Sequence, residues 1–320
     1  IFMQNAAAVP GKALRIVLPA VLCTLLWGSA FLFIKMGYAQ FQITGPFPEI
    51  LFAGLRFALA GVLVLLVQTI RLRRVPVPPR GSWWPVLRLG LVFTAGQYLF
   101  FYLGLAHTTG VKGSIIQGLS TFITVILAHF LLRGDDRITV KKALGCLVGF
   151  CGVVLANLDG ATGGFSLFGE GFMIIATVMF AAGTLMSKSV TRTVDSFCAT
   201  GWQLLCGGLV LVIVGFAGGG RLSAPQSPAG WGIFLYLAAL SSVAFGLWTT
   251  LLQKYSAGRV AVYNFLTPLF GVMLSALLLG EQLGGWKLFA AVGLVCAGIL
   301  LVNLPQRVGT RGRLMNQNKL

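Results

Sequence analysis

The chain has 320 residues, of which 57% are hydrophobic and only 10% are charged, and its formal net charge is +17. A soluble domain needs about a quarter of its residues charged, so this composition excludes a soluble globular protein and indicates a membrane protein. The basic excess does not indicate a nucleic-acid-binding protein, because the positive residues are dispersed between apolar segments and form no single patch.

Ten long segments with few or no charges follow one another along the chain. In hydrocarbon every backbone polar group must be bonded internally, so these segments are predicted to be helices. A span needs about 20 apolar residues. The second charge-free segment, 57–70, is shorter than this and reaches the required length only when it is extended to 50–70, which includes Arg56. The predicted spans are 16–34, 57–70, 89–111, 113–132, 143–158, 171–187, 196–220, 231–253, 260–280 and 288–306.

Basic residues predict the orientation. With the N-terminus in the cytoplasm and ten alternating helices, 19 of the 24 lysines and arginines fall in cytoplasmic segments, which is the excess expected there. The exceptions are Lys35, Arg56, Lys112, Arg221 and Lys287. We therefore expect a multi-pass protein of the inner membrane whose two tails, 1–15 and 305–320, are both cytoplasmic.

The second half of the chain repeats the first, which predicts a five-helix repeat at 16–158 and another at 168–304. Five is an odd number, so the second repeat enters the membrane from the opposite side. Such inverted repeats are typical of secondary carriers, although channels can also contain them. The matched pairs are Trp27 with Phe180 and Lys35 with Lys188 (a shift of 153), Arg56 with Gln203 and Gly61 with Gly208 (147), and Tyr102 with Trp248, Thr121 with Thr267, Asp135 with Glu281 and Gly152 with Gly298 (146).

Short motifs in a fixed order give the chain a family resemblance. They are Trp27-Gly28-Ser29-Ala30-Phe31 with Lys35, Leu55-Arg56-Phe57 with Gly61, Ser256-Ala257-Gly258-Arg259, Leu266-Thr267-Pro268-Leu269-Phe270, Leu279-Gly280-Glu281, and Gly298. This series resembles the EamA-like branch of the drug/metabolite transporter superfamily. The first half departs from the family pattern at Thr121-Phe122, where a proline corresponding to Pro268 is often found. Helices four and nine therefore need not bend alike.

The resemblance implies an all-α protein of ten transmembrane helices in two inverted five-helix repeats. It also implies a metabolite exporter with a central cavity between the halves, working without ATP or a bound cofactor. Family relatives move amino acids, nucleotide-related compounds, amines or drugs, so the resemblance does not fix the substrate.

Arg56 is the outlier among the predicted helix residues, because an arginine at the centre of a span costs about 2.5–3.5 kcal/mol on insertion scales. One interpretation is that it attracts a substrate carboxylate into the cavity. The alternative is structural: its side chain extends to the interface or bonds the carbonyls of a helix end near Glu49.

Other candidate substrate-binding residues are aromatic or carry amides and hydroxyls. Aromatic faces suit flat or amphipathic solutes, whereas amides and hydroxyls could bind charged groups; both kinds also serve as ordinary packing and interhelical hydrogen bonds. The candidates besides Arg56 are Trp27, Gln97, Tyr98, Tyr102, Gln117, Phe180, Gln203, Trp248, Asn264 and Thr267.

The seven acidic residues are all predicted at helix ends or in loops, whereas a proton-driven antiporter usually keeps a carboxylate at membrane depth as its relay. We hypothesise facilitated export down a metabolite gradient, or coupling through a group that the sequence does not identify. Its partners are expected to be a small-molecule substrate and membrane lipid, with no nucleic acid, no metal and no cofactor; the oligomeric state stays open.

We expect a secondary transporter that exports small metabolites, in particular amino acids, aromatic ones included, by alternating access across the inner membrane. A passive channel and an exporter of drugs or nucleotide-type metabolites remain alternatives. An enzyme is disfavoured, because no nucleophile–base pair or metal-ligand pattern is found.

Overall fold

A computed structural model describes residues 10–108, 110–132, 136–156, 164–279 and 286–304. In this part of the chain all regular structure is helical, and helices that continue into one another give ten elements. They are α1 (Pro10–Gln40), α2 (Pro46–Leu72), α3 (Trp83–Leu105), α4 (Gly110–Leu131), α5 (Val140–Ala156), α6 (Leu167–Val190), α7 (Ser196–Ala217), α8 (Pro228–Lys254), α9 (257–279) and α10 (Trp286–Asn303). The family-like pair Gly280-Glu281, Asp135 and the tail 305–320 lie outside the described residues.

Seven of these helices, α1–α4 and α6–α8, are long and apolar enough to cross a membrane. The remaining three are shorter or interrupted, and α10 contributes the apolar stretch Phe289–Asn303. The prediction of a polytopic, all-helical protein is thus confirmed, while the count of ten membrane crossings stays a prediction.

Helix α9 is interrupted where α4 is not. It consists of Ala257–Ala261, a 3-10 turn over Val262–Phe265, and Leu266–Leu279. Pro268 has no N–H to donate to the carbonyl four residues earlier, at Asn264, so the regular helical ladder cannot pass through this point. The first-half position that lacks the proline lies inside the continuous helix α4. The two helices differ as the missing proline suggested.

Helices α2 and α7, which are repeat-equivalent, pack against each other more extensively than any other pair in the described chain. Their backbones touch at glycines: a Cβ at Gly61 would lie 2.4 Å from the backbone N of Leu205, and one at Gly208 would lie 2.3 Å from the N of Ala58. These two contacts are reciprocal, since Leu205 matches Ala58 under the shift of 147. The helices run antiparallel, as an inverted repeat requires. We call this contact the α2–α7 seam.

Helices α5 and α10, also repeat-equivalent, form a second seam of the same kind. A Cβ at Gly152 would lie 2.7 Å from the carbonyl oxygen of Ala291, and one at Gly298 would lie 2.5 Å from that of Gly145. Under the shift of 146, Ala291 matches Gly145, so this α5–α10 seam is reciprocal as well. Small residues let backbones approach closely in membranes, where van der Waals packing drives association.

The other helices cross between the halves in a matching way. Helix α1 packs on α8 and α9, and its counterpart α6 packs on α3 and α4. These six helices, together with one face of α2, leave a space at the centre of the bundle. The seams on either side therefore position the walls of a central cavity.

Candidate functional site: a central cavity

The cavity has a volume of about 620 Å³ and is lined by residues of both halves, a size typical of small-molecule sites. Nine of the eleven predicted substrate-binding residues line it: Trp27, Arg56, Gln97, Tyr98, Tyr102, Gln117, Phe180, Asn264 and Thr267. Gln203 and Trp248 are not among the lining residues. The structure brings the nine together, and their role in binding substrate stays a prediction.

The cavity extends from mid-bundle toward one end only. Its lining includes Lys35 and Tyr38 near the end of α1, Thr108 just after α3, and Gly113 near the start of α4. We call this the Lys35 end. The opposite end carries the C-terminal part of α6 with Lys188, and we call it the Lys188 end. In the described chain, no lining residue comes from the Lys188 end.

Arg56 lies on α2 about 15 Å along the axis from Pro46, at the helical rise of 1.5 Å per residue. It is only 3% exposed, and its guanidinium carbon stands 4.4 Å from the centre of the Phe57 ring. Its Nε and one terminal nitrogen have no hydrogen-bond partner among the described residues, and no described carboxylate forms an ion pair with it. The structural interpretation, in which Arg56 extends to the interface or bonds helix-end carbonyls near Glu49, finds no such contact here.

An aromatic floor separates the cavity from the Lys188 end. Trp27 is its centre: the ring centroids of Phe180, Phe245 and Trp248 lie 6.1, 5.6 and 5.0 Å from that of Trp27. The repeat partners Trp27 and Phe180 thus contact each other edge to face in the floor, and both line the cavity. Trp248 is fully buried behind Trp27, so it belongs to the floor and not to the wall predicted for it.

Polar candidates divide into bonded and unbonded groups. The Asn264 amide donates to Ser120 Oγ at 3.0 Å, and Thr267 Oγ1 donates to Asn264 Oδ1 at 3.2 Å, so Asn264 also joins α4 to α9. By contrast, the side-chain oxygen of Gln97 is buried in the cavity wall and has no partner in the described chain.

Gln203 is the second candidate that the cavity does not include. It is fully buried in the interior of α7, where its backbone lies against Gly90 of α3: a Cβ on Gly90 would be 2.8 Å from the Gln203 carbonyl oxygen. This close approach accompanies the π-helical segment Gly90–Gly96 in α3. The repeat shift matched Gln203 to Arg56, but a sequence match does not give the side chain the same neighbours in both halves.

The Lys188 end is closed by an ion pair between the halves. Lys188 Nζ lies 3.6 Å from Asp136 Oδ2, and their side chains are 15% and 5% exposed. Lys188 also donates to the carbonyls of Leu252 and Tyr255, and the Ala257 backbone N–H donates to Asp136 Oδ1 at 2.5 Å. The Asp136 carboxylate, just before α5, and the Lys188 ammonium, at the end of α6, thus bind each other, and both also bind backbone groups at the α8–α9 connection.

Sequence reasoning missed Lys35 and Ser241 of the cavity wall and the Asp136–Lys188 pair. The repeat match between Lys35 and Lys188 was an available signal, because it places one lysine at each end of the bundle. Asp136 was recognised only as one of the acids near helix ends. No group of three or more metal-ligating side chains lies among the described residues.

Comparison with known proteins gives consistent results. The EamA-like transporter family model matches residues 14–158 and, a second time, residues 167–304. A WAT1-related chloroplastic protein of Arabidopsis thaliana is 30% identical over 88% of this chain and 67% of its own length. A probable amino-acid metabolite efflux pump of Salmonella typhimurium is 27% identical over 92% of this chain and 97% of its own.

The fold also has a counterpart among solved structures. One crystal structure superposes with a TM-score of 0.76 at 18% identity, covering 90% of this chain and 97% of that chain. Since the family model matches first one half of the chain and then the other, and the two matches together cover most of it, this multi-pass membrane protein is a member of the EamA-like transporter family.

Proposed function

We propose that the chain is a secondary transporter that exports small metabolites, amino acids among them, by alternating access across the inner membrane. The observation that supports this most directly is a central cavity that reaches one end of the bundle and is closed toward the other. An aromatic floor and a buried ion pair form that closure. An open pore would need a path through both ends, which this conformation does not provide.

In the proposed cycle the described conformation is the outward-facing one. The distribution of basic residues assigns the Lys35 end to the outside and the Lys188 end to the cytoplasm. Loading of a substrate from the cytoplasm requires the Asp136–Lys188 pair to separate and the floor around Trp27 to part. The α2–α7 and α5–α10 seams each join equivalent helices of the two repeats, so the moving parts are the helices around the cavity, which slide against these fixed seams.

Amino acids fit the cavity through two features. Arg56 lines the cavity and has no carboxylate partner among the described residues, and a guanidinium binds a carboxylate in a bidentate way. An apolar side chain can pack against the aromatic rings of the cavity wall, which are those of Trp27, Tyr98, Tyr102 and Phe180. The naming of one relative as a probable amino-acid metabolite efflux pump is in keeping with this choice.

Counterflow in proteoliposomes tests the transport mechanism. Vesicles preloaded with an unlabelled amino acid are expected to accumulate a trace of the same labelled compound transiently above equilibrium, because a carrier exchanges and a pore only equilibrates. Arg56→Ala is expected to abolish the overshoot. Equilibration without overshoot would instead support a pore. Absence of any flux, across a panel of amino acids and with folded protein, would contradict the proposed function.

The proposed orientation predicts which loops are reached from outside. A cysteine at Thr44, exposed between α1 and α2, should react with a membrane-impermeant maleimide in intact spheroplasts, whereas one at Arg74, exposed after α2, should react only after permeabilisation. The six native cysteines are first replaced by alanine so that the new thiol alone is measured. The reverse pattern would show that the termini are external.

A further inference from the structure

We infer that the cavity prefers organic anions over zwitterions: its best ligand class is a monocarboxylate with an aromatic body and a neutral hydrogen-bond donor, such as a 2-hydroxy acid, in place of an ammonium group. This inference rests on the proposed function and refines its substrate class. It follows from the charges and the unpartnered groups of the cavity wall.

The described cavity wall carries two cations and no carboxylate. Lys35 lies exposed toward the open end, and Arg56 lies buried at mid-depth. Glu49 is two turns before Arg56 on α2 but does not line the cavity and forms no ion pair with it. The other buried described acids, Asp136 and Glu170, are already paired with lysines. A ligand in this cavity therefore meets net positive charge.

Among the charged side chains of the cavity wall, Arg56 is the buried one, and its charge has no counterion among the described residues. It is 3% exposed, and its Nε and one terminal nitrogen have no partner in the described chain. A buried charge without partners is costly, and a hydrogen-bonded counterion offsets that cost. The Phe57 ring packs on the guanidinium but carries no negative charge, so a carboxylate bound in the cavity that Arg56 lines would be its counterion.

An ammonium group finds no carboxylate partner in the described wall. The described wall supplies only neutral acceptors, of which the Gln97 side-chain oxygen is buried and unpartnered. A neutral amide oxygen accepts a hydrogen bond but does not offset a positive charge, and an ammonium beside Arg56 brings two like charges together. A hydroxyl donates the same hydrogen bond to Gln97 without that repulsion. The wall thus discriminates against the α-ammonium of an amino acid.

Two compounds that differ at one group test this inference. In 3-phenyllactate a hydroxyl replaces the ammonium of phenylalanine, while the ring and the carboxylate are the same. We expect the purified wild-type protein, measured by isothermal titration in detergent, to bind 3-phenyllactate at least about tenfold more tightly than phenylalanine, as expected when a like charge is removed from a buried cation. Phenethylamine, which lacks the carboxylate, should bind most weakly.

Three variants assign the preference to Arg56. Arg56→Gln should reduce the ratio of the two affinities to about threefold or less, because the repelling cation is gone, whereas Arg56→Lys should retain the preference. Arg88→Gln removes the same charge from an exposed site on α3 and should leave the ratio unchanged. Should Arg56→Gln fail to fold, the wild-type ratio and the Arg56→Lys variant still decide.

Phenylalanine binding as tightly as 3-phenyllactate would overturn the inference, as would a full preference retained in Arg56→Gln, or no binding of either compound. Counterflow separates this result from the proposed function. An overshoot with phenylalanine but no preference for 3-phenyllactate would refute the charge selectivity and leave the transporter standing. Tight binding of 3-phenyllactate without any counterflow would refute transport and leave the site standing.

Discussion

Leucine in place of Gly298 is expected to lower the apparent melting temperature of the purified protein sharply, whereas leucine in place of Gly293 on the same helix is not. A Cβ at Gly298 would lie 2.5 Å from the Gly145 carbonyl oxygen and 2.7 Å from the Gly149 backbone N. These are backbone atoms of α5, so they can yield only if the α5–α10 seam opens. A Cβ at Gly293 meets nothing within 4 Å, and both substitutions remove a glycine from the same helix.

The expected size follows from the cost of overpacking. That cost reaches about 3 kcal/mol or more, which corresponds to a shift of about 6–12 °C at about 2–4 °C per kcal/mol. Thermal unfolding followed by size-exclusion chromatography in detergent measures it. Gly293→Leu should stay within about 2 °C of the wild type, since surface substitutions rarely change stability by more than about 0.5 kcal/mol. Equal stability of the two variants would show that the seam is not closely packed.

Asparagine in place of Asp136 is expected to open the Lys188 end. The amide oxygen still accepts from the Ala257 N–H, but the charge that holds Lys188 is lost. Breaking a buried pair is strongly destabilising for the state that contains it, and only about 1.4 kcal/mol is needed for a tenfold population shift. The population in which the floor is reached from the cytoplasm should therefore rise at least about tenfold.

A thiol next to the buried floor reports this opening. Thr249 is 1% exposed, next to Trp248, and Thr249→Cys in a background without the native cysteines should label slowly from the cytoplasmic side in inside-out vesicles. Adding Asp136→Asn should raise the labelling rate at least about tenfold. Glu170→Gln is the matched control, because it breaks the 3.0 Å Lys112–Glu170 pair, which lies toward the Lys35 end.

An unchanged labelling rate in Asp136→Asn would contradict the role of the ion pair. A similar rise in Glu170→Gln would mean that loss of any buried pair loosens the bundle. A rise in Asp136→Asn alone identifies the pair as the closure of the cytoplasmic end.

Much of the cavity could be predicted from single residues. Apolar segments located the helices, and a polar or charged side chain inside such a segment is costly enough to need a reason, which is why Arg56 and Gln97 were singled out and both line the cavity. The repeat match gave Trp27 and Phe180, which stand opposite each other in the floor.

The sequence did not predict which helices pack against each other or which charged side chains form ion pairs. Trp248 and Gln203 were assigned by repeat equivalence, yet the inner side of each helix depends on which neighbours it packs against, and that is set by long-range contacts. Asp136 lies near a helix end, where acids are common, and only the fold brings it to Lys188, 52 positions away in the numbering.

The reciprocal glycine contacts of the two seams have an evolutionary consequence. In an isologous interface the same surface patch serves on both partners, so that residue i meets j and j meets i. Both seams follow this rule. In the α2–α7 seam, Gly61 contacts Leu205 and Gly208 contacts Ala58. In the α5–α10 seam, Gly152 contacts Ala291 and Gly298 contacts Gly145. A five-helix ancestor that inserted in both orientations would have had these surfaces as its homodimer interfaces. The equivalent positions of Arg56, which lines the cavity, and Gln203, which does not, show that the two halves differ elsewhere, whereas the seams have kept their symmetry.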